Sequence, residues 1–150
     1  MSYTQLFYHI VFRPLNSLPV ITLEHEEVLY KYIWGFVQNK KGTLFRIGGI
    51  SDHLHLLVRL PPTLAISNFM HDLKIATHNF MREHKKEFPY FESWGKSYCA
   101  ITCSSESIPK VIDYIKNQKE HHRRISFRDE LLNLLQENGI TVNMEYFLKE

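Results

Sequence analysis

The chain has 150 residues, enough for one domain with a proper core, and we expect a single domain over 1–150. Apolar residues make up 44% and charged residues 23%, ordinary globular values that argue against disordered, collagen-like and coiled-coil classes. Eighteen Lys and Arg against 16 Asp and Glu leave +2, which argues against a protein coated in positive charge to hold long duplex DNA. The apolar runs are too short for a membrane span and no signal-peptide pattern opens the chain, so a soluble cytoplasmic protein is expected.

Residues 4–13 (TQLFYHIVFR) are dense in aromatic and β-branched side chains and predict a strand buried on both faces. After a loop from Pro14 to Val20, Thr22 is a plausible N-cap for a helix with Glu24, Glu26 and Glu27 at its start, Lys40 and Lys41 at its end, and Gly42 closing it. Residues 43–50 and 53–60 predict two strands joined by a tight turn at Ser51 and Asp52, an antiparallel hairpin ended by Pro61 and Pro62. From Ile66 to about Lys86 the apolar positions Ile66, Phe69, Met70, Leu73, Ala76 and Phe80 follow helical spacing.

An aromatic loop with Tyr90, Phe91 and Trp94 leads to a fourth strand over 97–103. Cys99 and Cys103 share it, so their α-carbons are about 13 Å apart and no disulfide joins them. A linker, Ser104 to Ser107, precedes a third helix over about 108–123 with Pro109 in its first turn. Ser126, with Asp129 three residues on, caps a short helix ending before Gly139, within a C-terminal extension over 124–150. The order β-α-β-β-α-β followed by helices is the α+β, ferredoxin-like split pattern, with helices on one face of an antiparallel sheet and the other face available.

His53 and His55 are two apart on one strand, so both imidazoles leave the same side of the sheet about 6.6 Å apart along the backbone. That spacing can bring two nitrogens onto one metal ion, although His-x-His alone is a weak pattern. Tyr114 and Gln118, at i and i+4, place a phenol and a neutral oxygen donor together on a helix face. Two imidazoles and an amide oxygen suit Mg²⁺ or Mn²⁺ in phosphoryl transfer, and imidazole pairs also take Zn²⁺. No third strong ligand or general-base glutamate is found at a recognisable spacing, which argues against a Zn²⁺ hydrolase.

The segment SDHLHLLVRLPP at 51–62, the motif YIKNQ at 114–118 and EHHRRISFRDE at 120–130 together resemble the single-tyrosine HUH transposases of small bacterial insertion sequences, including the REP-associated tyrosine transposases. The likeness starts at the YHIVFR strand, and Ser51 stands where the family usually has proline. The resemblance implies that Tyr114 is the nucleophile and that His53, His55 and Gln118 hold the metal. It further implies cleavage of single-stranded DNA at hairpins through a 5′-phosphotyrosine bond, rejoining without external energy, and a homodimer in which the tyrosine helix can complete the partner's site. A domesticated relative, or an inactive hairpin-binding module on the same scaffold, is the alternative.

His9 is either near the metal site or a satisfied core histidine, and Asp52 either orients a metal histidine or only forms the turn. Tyr90, Phe91, Trp94 and Tyr98 either stack unpaired bases or belong to the core. Lys110, Lys116, Lys119, His121, His122, Arg123 and Arg124 are candidates for holding DNA phosphates, or a solvated helix end. Residues 110–128 carry a net +4 and residues 129–150 a net −4, so the small overall charge hides a basic tyrosine helix. Such a helix suits a local grip on a few phosphates.

Overall fold

The computed structural model describes residues 2–149. Four strands, β1 (Leu6–Phe12), β2 (Thr43–Ile50), β3 (His53–Leu60) and β4 (Cys99–Cys103), form one antiparallel sheet in the order β2-β3-β1-β4. The helices are α1 (Glu26–Asn39), α2 (Ile66–Glu83), α3 (Ile108–Lys116), α4 (Gln118–His121) and α5 (Phe127–Glu137). This is the expected α+β sandwich.

Strand alternation sorts the side chains into two layers. Ile10 and Phe12 of β1 and Leu54, Leu56, Val58 and Leu60 of β3 pack with Leu29, Ile33 and Val37 of α1 and Phe69, Met70 and Leu73 of α2. A bulge between Leu44 and Arg46 turns both Leu44 and Ile47 of β2 toward that core, although they are three residues apart. The alternate residues of the central strands, including His9, Val11, His53 and His55, face the second layer. Among the described residues, no helix is long and apolar enough to cross a membrane.

The second face of the sheet is not bare, as the sequence order suggested, because the C-terminal helices return over it. Phe127 and Leu131 of α5 pack on Val11 and Cys99, with Leu134 and Leu135 beside them. Ser126 caps α5 as expected, its hydroxyl accepting from the Asp129 backbone N–H at 3.2 Å. Cys99 and Cys103 are free thiols.

Three local expectations change. α1 starts at Glu26 instead of after Thr22, whose hydroxyl is buried without a hydrogen-bond partner and caps nothing. At its other end the left-handed residue is Lys41 (φ 65°), and the Lys41 and Gly42 N–H groups donate to Gln38 and Val37 in a Schellman turn. Gly42 serves close packing instead, since a Cβ there would lie 2.9 Å from the Arg59 carbonyl oxygen. The third predicted helix breaks at Asn117 (φ −97°, ψ 18°), so Tyr114 and Gln118 lie on separate short helices. Asparagine is a poor interior helix residue, and the bend lets Gln118 enter the site while Lys119 donates to the Gly49 carbonyl at 3.1 Å.

Candidate active site

β3 lies between β1 and β2, so its outward histidines sit at the centre of the sheet's second face. His53 and His55 are both fully buried. Asp52, in the hairpin turn, accepts from His53 Nδ1 at 2.7 Å, so it forms the turn and orients the imidazole as well. Behind His55, His9 Nε2 meets His55 Nδ1 at 2.8 Å, which makes His9 both a buried histidine and a support of the site. His53 stacks on Phe127 of α5 with ring centroids 4.3 Å apart.

α3 crosses this face directly above Gly48 of β2, the register partner of His55. Tyr114 is thereby brought over the histidine pair, 5.7 Å from the His55 ring centroid and 6.0 Å from that of His9. Gln118 is buried, and its Oε1 lies 2.9 Å from His53 Nε2. All four residues expected at the site are therefore in one place and come from one chain.

At the centre is a residue the sequence reading missed. Glu130 of α5 is 2% exposed. Its Oε1 accepts from His55 Nε2 and His122 Nε2, each at 3.0 Å, and lies 3.2 Å from His53 Nε2. Its Oε2 accepts from Gln118 Nε2 at 2.7 Å and from the Tyr114 hydroxyl. No spacing in the sequence marked a third strong ligand or a general-base glutamate, and the fold brings this carboxylate to the histidines from 75 residues away. A signal was present: on the stripe Phe127, Glu130, Leu131, Leu134, Leu135, Glu130 is the one charged residue on an otherwise apolar helix face.

The electrostatics follow from this convergence. Burial alone would raise the Glu130 carboxyl, but hydrogen bonds from His122, His53 and His55 hold it well below the ordinary carboxylate range. Burial works against charge on His53, yet the bonds to Asp52 and Glu130 prevail and push its imidazole up to about 9. Burial dominates at His55 and His9, which are lowered to about 4 and about 3. Burial and then the Glu130 carboxylate push the Tyr114 phenol above its ordinary value.

A divalent cation fits this donor set. The ligand atoms of His53, His55 and Glu130 all lie within 4.8 Å of one another, as do those of His121, His122 and Glu130. With its Nδ1 bonded to Asp52, His53 directs Nε2 to the cluster, the orientation a metal-binding imidazole needs. Mixed imidazole and oxygen donors serve Mn²⁺, Mg²⁺ and Zn²⁺ alike.

The expected phosphate-binding residues do not form one surface. Lys110 lines a cleft of about 520 Å³ together with Tyr114, His121, Glu130 and Ser104. Lys116 and Lys119 line another, of about 540 Å³, between α1, β2 and α3. Lys119 pairs with Glu26 at 2.9 Å, and Arg123 with Glu120 at 3.2 Å. Among the described residues Lys110, Lys116 and Arg124 have no ion-pair partner. The His122 side chain is turned inward to Gln118 and Glu130, and His121 Nε2 lies 3.4 Å from Glu130 Oε2 without a hydrogen bond. Of the aromatic loop, Trp94 is buried, Phe91 and Tyr98 pack on the core, and Tyr90 is exposed.

A histidine pair on a central strand, under a helix that carries a tyrosine, is the arrangement that the resemblance to single-tyrosine HUH transposases implies. The family described as "Transposase IS200 like" matches residues 2–118, and the chain belongs to that family. The transposases for insertion sequence element IS200 of Salmonella typhimurium and Salmonella typhi are each 27% identical over 120 residues, covering 77% of this chain and 78% of theirs. A putative transposase of Deinococcus radiodurans shares the fold, with a TM-score of 0.62 and 24% identity over 78% of this chain and 93% of its own. So does a REP-associated tyrosine transposase bound to a REP hairpin, with a TM-score of 0.61 and 12% identity over 83% of this chain and 73% of its own. The family match ends at Gln118, before α5 and Glu130.

Proposed function

We propose that this chain is a metal-dependent, single-stranded DNA transposase that cleaves and rejoins hairpin-bearing ends through a 5′-phosphotyrosine bond. Tyr114 is the nucleophile, and His53, His55 and Gln118 hold Mg²⁺ or Mn²⁺. The observation that carries the reading is that the Tyr114 hydroxyl and the His53, His55 and Gln118 side chains all meet at one buried carboxylate. The nucleophile is thus within one residue of the metal donors. The REP-associated tyrosine transposase that shares the fold is bound to a REP hairpin, which supports a hairpin as the partner.

A phenol has an ordinary pKa near 10, and here it is pushed higher, so the protonated form prevails at neutral pH. A divalent cation would orient the scissile phosphate and offset the charge that develops on it. Tyr114 supplies the attacking oxygen. Its bond to phosphorus forms as the bond from phosphorus to the 3′-oxygen breaks; the phenolic proton leaves, and the 3′-oxygen ends as a hydroxyl. The phosphotyrosine keeps the energy of the phosphodiester, so a 3′-hydroxyl reverses the step and joins a new strand. Lys110 and Lys116, on either side of α3, hold phosphates flanking the cut, with Lys119, His121, Arg123 and Arg124 as further contacts, while His122 is turned inward and is left out.

The enzyme acts in the cytoplasm as a homodimer. Because one chain brings all the site residues together, the tyrosine can act within its own subunit. Mixed dimers of Tyr114→Phe and His53→Ala chains recover activity only if it acts across subunits instead. The primary test is incubation of the protein with hairpin-bearing single-stranded DNA and Mn²⁺ on a denaturing gel. Wild type gives a covalent adduct and Tyr114→Phe gives none; equal behaviour of the two sinks the mechanism. Hairpin binding without any adduct identifies an inactive binding module.

A further inference from the structure

Glu130 lies outside the residues the family match covers, on a helix anchored by its own apolar stripe. We propose that Glu130 is a further ligand of the divalent cation in this chain, binding through Oε1 while Oε2 holds the Tyr114 hydroxyl. One carboxylate then ties together the cation, the nucleophile and α5. This inference rests on the metal site assigned above to His53, His55 and Gln118.

Three observations carry it. The first is spacing. Two ligands about 2.1 Å from an octahedral ion and at right angles to each other are about 3.0 Å apart. Glu130 Oε1 is 3.0 Å from His55 Nε2 and 3.2 Å from His53 Nε2, while Gln118 Oε1 is 2.9 Å from His53 Nε2. These are the separations that neighbouring positions around one small cation require.

The second is charge. Two imidazoles and an amide supply no negative charge, and hard cations such as Mg²⁺ and Mn²⁺ favour carboxylate oxygen. A carboxylate on an apolar helix stripe is costly to bury unless a cation is there to pair with it.

The third is the division of labour between the two oxygens. The imidazoles of His53, His55 and His122 gather at Oε1, and the phenol and the Gln118 amide N–H at Oε2. A cation taken up by Oε1 therefore leaves the contact to Tyr114 in place. Loading the cation fixes α5 over the second face of the sheet and holds the phenol beside the metal.

The opposite outcome of the same contacts is that Glu130 is a plug that cation and substrate displace. Two measurements on the full chain separate these roles. The first is calorimetric titration of Mn²⁺ into wild type, Glu130→Gln and His53→Ala. A ligand role weakens Mn²⁺ binding by about tenfold or more in Glu130→Gln. Equal or tighter binding by that variant overturns the proposal.

The second measurement uses wild type alone, and so stands even if Glu130→Gln does not fold. Mn²⁺ should slow amide hydrogen exchange across 127–137; faster exchange there overturns the proposal and identifies a plug. His53→Ala separates this inference from the reading beneath it. Loss of Mn²⁺ binding in His53→Ala but not in Glu130→Gln leaves the histidine site standing and removes Glu130 from it. Unchanged binding in His53→Ala overturns both.

Discussion

Gly48 controls how closely the tyrosine helix approaches the sheet. A Cβ added there would lie 2.7 Å from the Ile115 carbonyl oxygen and 3.0 Å from Ile115 Cγ2, whereas ordinary contact begins near 3.4 Å. In Gly48→Ala, α3 must therefore rise by about 0.7 Å, the shortfall at the carbonyl. That carbonyl belongs to the residue after Tyr114, so the phenol moves with it. Overpacking of this kind costs about 1–3 kcal/mol. A misplacement approaching 1 Å costs on the order of 10²-fold in rate.

The assay is single-turnover formation of the covalent adduct on hairpin DNA, together with thermal denaturation. Gly48→Ala should melt lower and form adduct about 10²-fold more slowly. Gly35→Ala is the control: Gly35 lies within α1 with nothing within 4 Å of an added Cβ, and alanine there should stabilise by up to about 1 kcal/mol. If Gly48→Ala forms adduct within twofold of the wild-type rate, the helix is not positioned by this glycine and the reasoning fails.

Thr77→Val removes the buried acceptor of Trp94 Nε1, now at 2.8 Å, and should cost about 1–3 kcal/mol in denaturant unfolding; no change would show that Trp94 finds another acceptor. The metal-free protein should be most stable near pH 6.5. His55 and His9, lowered to about 4 and about 3, are neutral in the fold, so their contribution is lost as pH falls from 6.5 through those values. His53, raised to about 9, contributes fully below 6.5 and loses that contribution as pH rises to about 9. Melting curves in chelator should therefore decline on both sides, and a flat profile from 6.5 to 9 would count against a charged His53. Lys116→Gln and Arg124→Gln should each reduce the salt dependence of single-stranded DNA binding by a slope of about 0.7, read by fluorescence anisotropy; slopes equal to wild type would remove these residues from the strand path.

Much of the site is a local matter and was legible. The period-two pattern of β3 puts His53 and His55 on one face whatever the strand packs against, and Ser51 and Asp52 set the hairpin that fixes their register with β2. The helical spacing of Phe69, Met70 and Leu73 and the Ser126 cap were legible for the same reason, since each depends on neighbours within one or two turns. The acidic character of 129–150 was also legible, though its meaning was not. Glu130 is spent inside the protein, while Asp129, Glu137 and Glu145 remain exposed.

Local pattern states which face of an element is apolar, but not which element will meet it. Glu130 is 75 residues from His55 in sequence and 3.0 Å from it in space. That distance depends on α5 folding back over β1 and β4, on the bend at Asn117, and on the glycine that lets α3 lie close to the sheet. The sequence by itself determined the histidine pair, the tyrosine, the glutamine and the sheet that carries them. Only the tertiary structure decided that a carboxylate from the C-terminal helix stands among them, because its place is set by the packing of apolar stripes far apart in the chain.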